Sequence, residues 1–328
     1  MTVEAIKIGN EEVIIGPTWN PKLPSIYQIE AFSRCNLSCP FCLTGIEQAP
    51  FRYEDCCMDM DLFKTIVDRD LGGSRFIELQ FRGEPTLNKN LLKMVELLKQ
   101  EVYVGFSTHG GTLHSDHAMQ AALESHYITI SIDAGSEESY KKKRVGGNWL
   151  RLISNITLLI RKRGVNQFPI IDLQLIENGD DWEQELDKLY KLADELAWSD
   201  EINIRTIHNT ALSWENPKIK VRNDELCLNP WLSVSIKMNG DVVPCCMAFK
   251  DEEAMCYGNL KEHSLKEIWN SAKVQEFRYR HLVSATGCKT PSTRVPATCQ
   301  SCYSKSPALL HDRLIMDAIS NATRTHLF

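Results

Sequence analysis

Long apolar runs are missing from this 328-residue chain. None approaches the ~20 residues that an α-helix needs to cross a bilayer. The first 24 residues mix polar and apolar side chains without a charged start followed by an apolar stretch, so no secretory signal is read there. A reducing cytoplasm is the expected compartment, and no membrane partner is expected. A basic stripe is missing too. Lys and Arg number 37 against 43 Asp and Glu, for a net charge of -6. The one dense basic stretch, Lys141-Lys142-Lys143-Arg144, is the kind of run that a solvated helix face carries. Nucleic acid is therefore disfavoured as a partner. No internal repeat and no low-complexity tract is present. Cysteine, finally, is absent between Cys57 and Cys227, although the chain holds 12.

That gap makes the cysteines informative. They fall into three groups: Cys35, Cys39, Cys42, Cys56 and Cys57; then Cys227, Cys245, Cys246 and Cys256; then Cys288, Cys299 and Cys302. Disulfide scaffolds belong to small secreted domains. A chain of 328 residues with 43% hydrophobic and 24% charged residues has the composition of an ordinary folded protein. It is long enough for one large domain with an appendage, or for two. Clustered thiols in such a chain point to metal.

Apolar, β-rich runs at 26–32, 76–81, 102–107, 127–132, 169–175 and 202–207 alternate with helical periodicity at 59–71, 88–100, 115–124, 148–163 and 182–198. Asn88, and Asp180 or Asp181, read as helix starts. Six strands with intervening helices predict an α/β fold with a parallel sheet. Periodicity alone does not separate a curled sheet from an open one. The pattern lapses over 209–223 and then changes: 231–237 and 242–244 read as a hairpin turning at Asn239-Gly240. A helix over 264–281, a polar loop to Cys302 and a C-terminal helix follow. The expected organisation is an N-terminal extension (1–25), an α/β unit (26–223), a small α+β domain (224–305) and a terminal helix (306–328).

Directly after the first of the six strands stands Cys35-Asn36-Leu37-Ser38-Cys39-Pro40-Phe41-Cys42, a Cys-x3-Cys-x2-Cys loop. Structural zinc takes four ligands, and no fourth follows at a suitable local spacing. A zinc knuckle would need Cys56 or Cys57 to complete it. Three soft thiolates suit an iron–sulfur cluster with one iron left open to a small-molecule ligand. A loop at the C-terminal end of a strand is also where a barrel places its active site.

At these residues the sequence resembles the radical S-adenosylmethionine (SAM) superfamily. The resemblance implies a partial (β/α)6 TIM-like barrel, a SAM-binding 4Fe–4S cluster on Cys35, Cys39 and Cys42, and SAM itself, with Phe41 inside the cluster loop. Arg82-Gly83-Glu84-Pro85 resembles the family's Gly-Gly-Glu motif, which meets the SAM amino group; Arg82 stands where the family has its first Gly, so Gly83 and Glu84 carry over. Ser107-Thr108-His109-Gly110 is similar to a Ser-Thr-Asn-Gly segment near the ribose, with His109 in the Asn place. Ser131-Ile132-Asp133 resembles the ribose-side motif, and Arg144 matches a basic residue facing the SAM carboxylate. Taken singly, the acidic residue is equally a helix cap and Arg144 a surface charge. The four stand in order at successive strand ends.

Cys227, Cys245, Cys299 and Cys302 could close a second site, and ligand type alone does not separate zinc from iron–sulfur there. Beside the radical SAM core the segment resembles the SPASM/twitch extension, including Tyr257-Gly258-Asn259-Leu260 and Ile268-Trp269-Asn270. The longer cysteine run of the two-cluster version does not follow Cys302, so the resemblance implies one auxiliary 4Fe–4S cluster. Cys246, beside Cys245, points to the opposite face of its strand. It is expected either to pack or to face the barrel mouth as a catalytic hydrogen-atom donor.

The implied activity is radical SAM oxidoreduction, with a flavodoxin- or ferredoxin-type electron donor and a small-molecule or peptide substrate. The leading reading is two-electron dehydrogenation of a sugar or aminocyclitol alcohol, as in the aminocyclitol dehydrogenases that the chain resembles. The second is modification of a ribosomal peptide by epimerisation or crosslinking. Against it, the stretch before Ile26 is short for a leader-binding winged-helix domain. A non-catalytic metal-binding scaffold is the reading of another class.

Overall fold

The computed structural model describes residues 4–8, 11–15, 22–46, 54–72, 74–177, 181–208, 226–248, 252–285, 294–300 and 302. The expected C-terminal helix and Cys288 lie outside them. Near the start, β1 (Glu4–Ile8) and β2 (Glu11–Ile15) pair antiparallel, a hairpin within what reads in the sequence as a plain extension.

Six parallel strands then lie in chain order: β3 (Ile26–Ile29), β4 (Phe76–Glu78), β5 (Tyr103–Thr108), β6 (Tyr127–Ser131), β7 (Ile170–Glu177) and β8 (Asn203–His208). Parallel neighbours need a crossover, usually a helix. Here those helices are α2 (Met60–Asp70), α3 (Leu91–Leu98), α4 (Asp116–Glu124), α5 (Glu137–Lys143), α6 (Trp149–Arg163) and α7 (Trp182–Glu195), after the short α1 (Leu43–Ile46). The caps follow the sequence in part. Asp59 accepts from the amides of Asp61 and Leu62, and Asn148 from that of Arg151. Asp181 precedes α7 as expected, but Asn88 does not start α3; Asn90 does. The Asn88 side chain is buried instead and donates to Ala31 O at 2.7 Å.

The two faces of the sheet differ. Tyr27, Ile29, Ile77, Val104, Phe106, Ile128, Ile130, Ile171 and Leu173 share one core with Phe63 of α2, Leu91 of α3, Ile156 of α6 and Leu189 of α7. Period two places Gln28, Glu78, Ser107, Thr129 and Gln174 on the opposite face. Strands buried under helices on both faces would be apolar throughout; these carry helices on one face, as the outside of a barrel does. Below the polar row, Phe76, Tyr127 and Ile170 form an apolar plug with Tyr103 and Phe168.

The C-terminal part joins this sheet. α8 (Asn229–Leu232) leads into β9 (Ser233–Ile236), which pairs parallel with β3; β10 (Asp241–Val243) and β11 (Gly258–Asn259) follow antiparallel, giving the order β11-β10-β9-β3-β4-β5-β6-β7-β8. The hairpin turn forms where Asn239-Gly240 predicts it, with Gly240 at φ 93° and Gly240 N donating to Lys237 O at 2.9 Å. The expected small α+β domain is therefore continuous with the barrel sheet. β9 continues its alternation: Val234 and Ile236 lie beside Tyr27 and Ile29, and Ser235 beside Gln28. Past the short α9 (Glu252–Met255), the single helix expected over 264–281 divides into α10 (Leu265–Trp269) and α11 (Ala272–Ala285).

Asp70, buried at the end of α2, fastens the two parts. Its Oδ1 accepts the Leu265 amide of α10 at 2.8 Å, and its backbone carbonyl accepts the Tyr27 hydroxyl at 3.1 Å. Arg69, part-exposed, holds the same carboxylate and donates to Leu260 O at 2.8 Å. Asp70→Ala leaves a buried amide without its acceptor and should lower stability by about 1–3 kcal/mol, read as a lower midpoint in anaerobic urea unfolding. An unchanged midpoint would mean that apolar packing alone holds α10.

Candidate active site

The loop after β3 carries Cys35, Cys39 and Cys42, and its shape depends on the loop after β4. Glu84 N donates to Arg34 O at 2.8 Å. Gly83 has φ 62°, and a Cβ there would sit 2.2 Å from Phe32 O and 2.7 Å from Arg34 N. Only glycine fits, both by conformation and by space. This accounts physically for the one motif glycine that the chain keeps. The three thiols lie within electrostatic reach of one another. Burial pushes the Cys35 thiol up to about 12, with Glu84, Cys39 and Cys42 adding to it, while the Leu37 amide lowers it. Burial also raises Cys39, and Arg144 opposes it. Buried thiols in this state are poor anions until a cation neutralises them.

Glu84 is both cap and hub. Its Oε1 accepts the Thr86 amide at 3.2 Å, capping the short 3-10 turn Pro85–Leu87, and the Thr108 hydroxyl at 2.6 Å; its Oε2 accepts the His109 amide at 2.8 Å. His109, in the family's Asn place, is buried, and burial lowers its pKa, so the ring is neutral. Gly111 N donates to Nδ1 at 2.9 Å, which puts the proton on Nε2, where it meets Asn36 Oδ1 at 2.9 Å. His109 thereby ties the third strand's exit to the cysteine loop. The sequence offered no signal for Asn36 beyond its place between two ligands, nor for Thr86; Thr108 stands inside the Ser107–Gly110 segment singled out above, but its bond to Glu84 was not legible there.

Arg144 turns away from the solvated run it ends. Lys141 and Lys142 pair with Glu137 and Glu138 on the exposed face of α5. Arg144 instead pairs with Asp133, lies 5.5 Å over the Phe41 ring, and donates to Cys39 Sγ at 3.7 Å. Burial works against its charge, but Asp133 and Cys39 hold its pKa high. Asp133 sits at φ 53°, unusual for a residue with a Cβ, and accepts the Ile176 amide at 2.7 Å. Ser131 is half-buried at the end of β6 beside Gln174. Ser107, at the end of β5, donates to Glu78 at 2.8 Å.

The second cysteine group gathers around Tyr257. Burial raises the Tyr257 hydroxyl well above its usual value; Arg278 lowers it, and the thiols of Cys245, Cys299 and Cys227 raise it further. Cys245, pushed up to about 12 by burial, also feels Cys302. Cys299 lies in α12 (Ala297–Gln300) and Cys302 just after it. Arg278 of α11, near Tyr257, lies 4.4 Å over the Trp269 ring and donates to Pro230 O at 2.8 Å. Cys246 packs against the main core, and its thiol is raised by burial and then by Cys245, Glu78 and Cys302. β10 ends at Val243, so Cys245 and Cys246 stand in the turn after it and the opposite faces expected of strand neighbours do not apply; Cys246 lies within electrostatic reach of Cys245, Glu78 and Cys302. Cys56 and Cys57 serve the fold: Cys56 O accepts the Ser33 amide at 2.9 Å, and Cys57 bridges Phe32.

Among the described residues no three His, Cys, Asp or Glu side chains close on a single ion position. The three thiols of the first loop, and those of Cys227, Cys245 and Cys299 near Tyr257 with Cys302 near Cys245, are the soft donors that iron–sulfur clusters take. No helix among the described residues is long and apolar enough to cross a membrane.

Fold and site together define an iron–sulfur enzyme with its chemistry at the strand ends of a partial barrel. The family models agree: the radical SAM superfamily matches residues 29–189, and an iron–sulfur cluster-binding domain, SPASM, matches 227–303. The chain belongs to the radical SAM superfamily, and it is a radical SAM enzyme with 4Fe–4S and SAM cofactors and an auxiliary iron–sulfur domain. It is 26% identical over 303 residues to the tungsten-containing aldehyde ferredoxin oxidoreductase cofactor-modifying protein of Pyrococcus furiosus, covering 76% of this chain and 82% of that protein. It is 26% identical over 283 residues to the PqqA peptide cyclase of Xanthomonas axonopodis, covering 75% and 74%. To the S-adenosyl-L-methionine-dependent 2-deoxy-scyllo-inosamine dehydrogenase of Niallia circulans it is 24% identical over 271 residues, covering 78% and 86%. The fold is shared with native anSMEcpe with bound AdoMet and Cp18Cys peptide, at 16% identity and TM-score 0.60, covering 92% of this chain and 99% of that one.

Gly83→Ala should break the contact between the two loops. The expected outcome is loss of SAM binding by equilibrium dialysis, while far-ultraviolet circular dichroism stays near wild type. SAM affinity within twofold of wild type would show that the loops tolerate separation.

Proposed function

We propose that this enzyme dehydrogenates a secondary alcohol of a sugar or aminocyclitol, a two-electron oxidation. The carrying observation is that β9, in the segment between Cys227 and Cys245, pairs directly with β3, the strand that leads to Cys35, Cys39 and Cys42. That arrangement suits a site in which the electron left on the substrate has a nearby acceptor. The similarity to an inosamine dehydrogenase supports the reading.

In this reading Cys35, Cys39 and Cys42 hold the SAM-binding cluster, and Cys227, Cys245, Cys299 and Cys302 hold one auxiliary cluster. Bound there, the cluster and SAM would supply radical chemistry capable of removing a hydrogen atom from a substrate carbon. The chain's own residues position and shield. Gly83 gives the close approach, Glu84 meets the SAM amino group, and the Thr86, Thr108 and His109 contacts aim its carboxylate. Arg144 meets the SAM carboxylate, with Asp133 and Phe41 fixing its plane. Ser107 and Ser131 border the ribose side. Buried Leu37, Cys39 and Phe41 keep water from the cysteine loop. A flavodoxin- or ferredoxin-type protein delivers the electron, and the cytoplasm is the compartment.

Peptide modification is the second reading, supported by the peptide cyclase relative and by Cys246 lying within electrostatic reach of Glu78. There Cys246 would return a hydrogen atom to the substrate.

Replacing Cys35, Cys39 and Cys42 together by Ala should remove roughly half of the iron of a two-cluster protein and abolish 5′-deoxyadenosine formation under dithionite. Normal SAM cleavage by that variant would end the assignment. Turnover in heavy water separates the two substrate readings. A product two mass units lighter, with Cys246→Ala nearly as active as wild type, is expected; solvent deuterium at the reacting carbon, lost in Cys246→Ala, would establish the peptide-type hydrogen return instead.

A further inference from the structure

The segment between Cys35 and Cys39 is held from outside its own loop. The Ser38 amide donates to Val145 O at 2.8 Å, and Nε2 of His109 donates to Asn36 Oδ1 at 2.9 Å. The second of these contacts needs a histidine. An Asn at this position would end level with Nδ1 of the ring, and Nε2 stands one atom further out. The ring itself is fixed: Gly111 N donates to Nδ1 at 2.9 Å, and a Cβ on Gly111 would stand only 3.0 Å from that nitrogen. Its backbone is fixed too. The His109 amide donates to Glu84 Oε2 at 2.8 Å, and Asn155 Nδ2 of α6 donates to Gly110 O at 2.8 Å. His109 is 4% exposed whereas Asn36 is exposed. A buried, anchored ring therefore holds a residue of the surface loop.

A further distance gives this contact its use. Nε2 also lies 3.4 Å from Glu84 Oε2. The N–H that reaches Asn36 thus stands between the carboxylate assigned to the SAM amino group and the loop assigned to the cluster. A ligand held at both places binds well only when the two are correctly spaced, and a loop already held spares it the cost of ordering.

We propose that His109 is a positioning residue for SAM: through Asn36 it sets the cysteine loop in register with Glu84, so that SAM meets both without ordering the loop. The inference rests on the assignment of Cys35, Cys39, Cys42 and Glu84 above and adds the pair His109–Asn36 to it. Two substitutions divide the contacts of the ring between them. His109→Asn keeps an acceptor level with Nδ1 for the Gly111 amide and loses the donor to Asn36. His109→Gln keeps a donor level with Nε2 and loses the acceptor.

The test is anaerobic equilibrium dialysis of SAM against the reconstituted full-length holoenzyme. His109→Asn should bind SAM about 5- to 10-fold more weakly, the loss of one hydrogen bond, and His109→Gln should stay within about twofold of wild type. Iron content should remain at the wild-type level in both. The change that SAM produces in the EPR spectrum of the dithionite-reduced protein should need correspondingly more SAM in His109→Asn. Asn36 offers the same test without a change to a buried residue. Asn36→Ala should match His109→Asn, and the double variant should be no weaker than either single one, because both remove the same contact. Unchanged affinity in His109→Asn, an equal loss in His109→Gln, or additive losses in the double variant would each overturn the inference. Iron lost in step with SAM affinity would overturn it as well, by making His109 a support of the fold. Normal SAM binding by the variant lacking Cys35, Cys39 and Cys42 is a different failure: it removes the assignment beneath the inference, and the inference with it.

Discussion

The site depends on one close backbone approach. Where the loop after β4 crosses the loop after β3, Gly83 leaves no room for a Cβ against Phe32 and Arg34. That contact brings Glu84, fifty residues along the chain, to the thiols of the first loop, and fastens it through Arg34. Once placed, the carboxylate collects donors from Thr86, Thr108 and the His109 amide, so three successive strand ends converge on one group. His109 then closes the circle onto Asn36. An imidazole reaches further than the amide side chain found there in the family, and here the extra reach is used to hold the cysteine loop.

The second constraint is the parallel pairing of β9 with β3. A twitch-like segment could have been an appendage on a linker, but its first strand extends the barrel sheet and keeps the sheet's alternation. Apolar Val234 and Ile236 join the helix-covered core, and Ser235 joins the polar row. The same pairing that buries apolar area therefore sets the segment of the second cysteine group beside the strand that leads to the first. Asp70 reinforces the junction from the helix side by capping α10 across the boundary. Folding and the spacing of the two cysteine groups are in this way one problem.

Buried charge is managed by pairing, in ways that differ between the site and its supports. Arg144 with Asp133 and Arg82 with Glu30 are ion pairs of limited exposure. Breaking such a pair leaves an uncompensated charge, which is the larger penalty. Asp133 also accepts strain in its backbone, at φ 53°, to present its carboxylate to both Arg144 and the Ile176 amide. Strain of that kind persists where surrounding contacts over-determine it.

Much of this was legible in the sequence because it is local. The Cys-x3-Cys-x2-Cys loop, Gly83-Glu84, the six alternating strands and the Asn239-Gly240 turn are properties of short segments whose chemistry does not wait for tertiary contacts. The element order and the radical SAM family follow from them. What only the tertiary structure decided involves residues brought together across the sheet. Asn88 reads as a cap and is a buried tie to Ala31; Arg144 reads both as the end of a solvated run and as a residue facing the SAM carboxylate, and it turns inward onto Asp133. Each outcome was set by strand register and by which face a side chain occupied, and register is a relation between segments that no single segment contains.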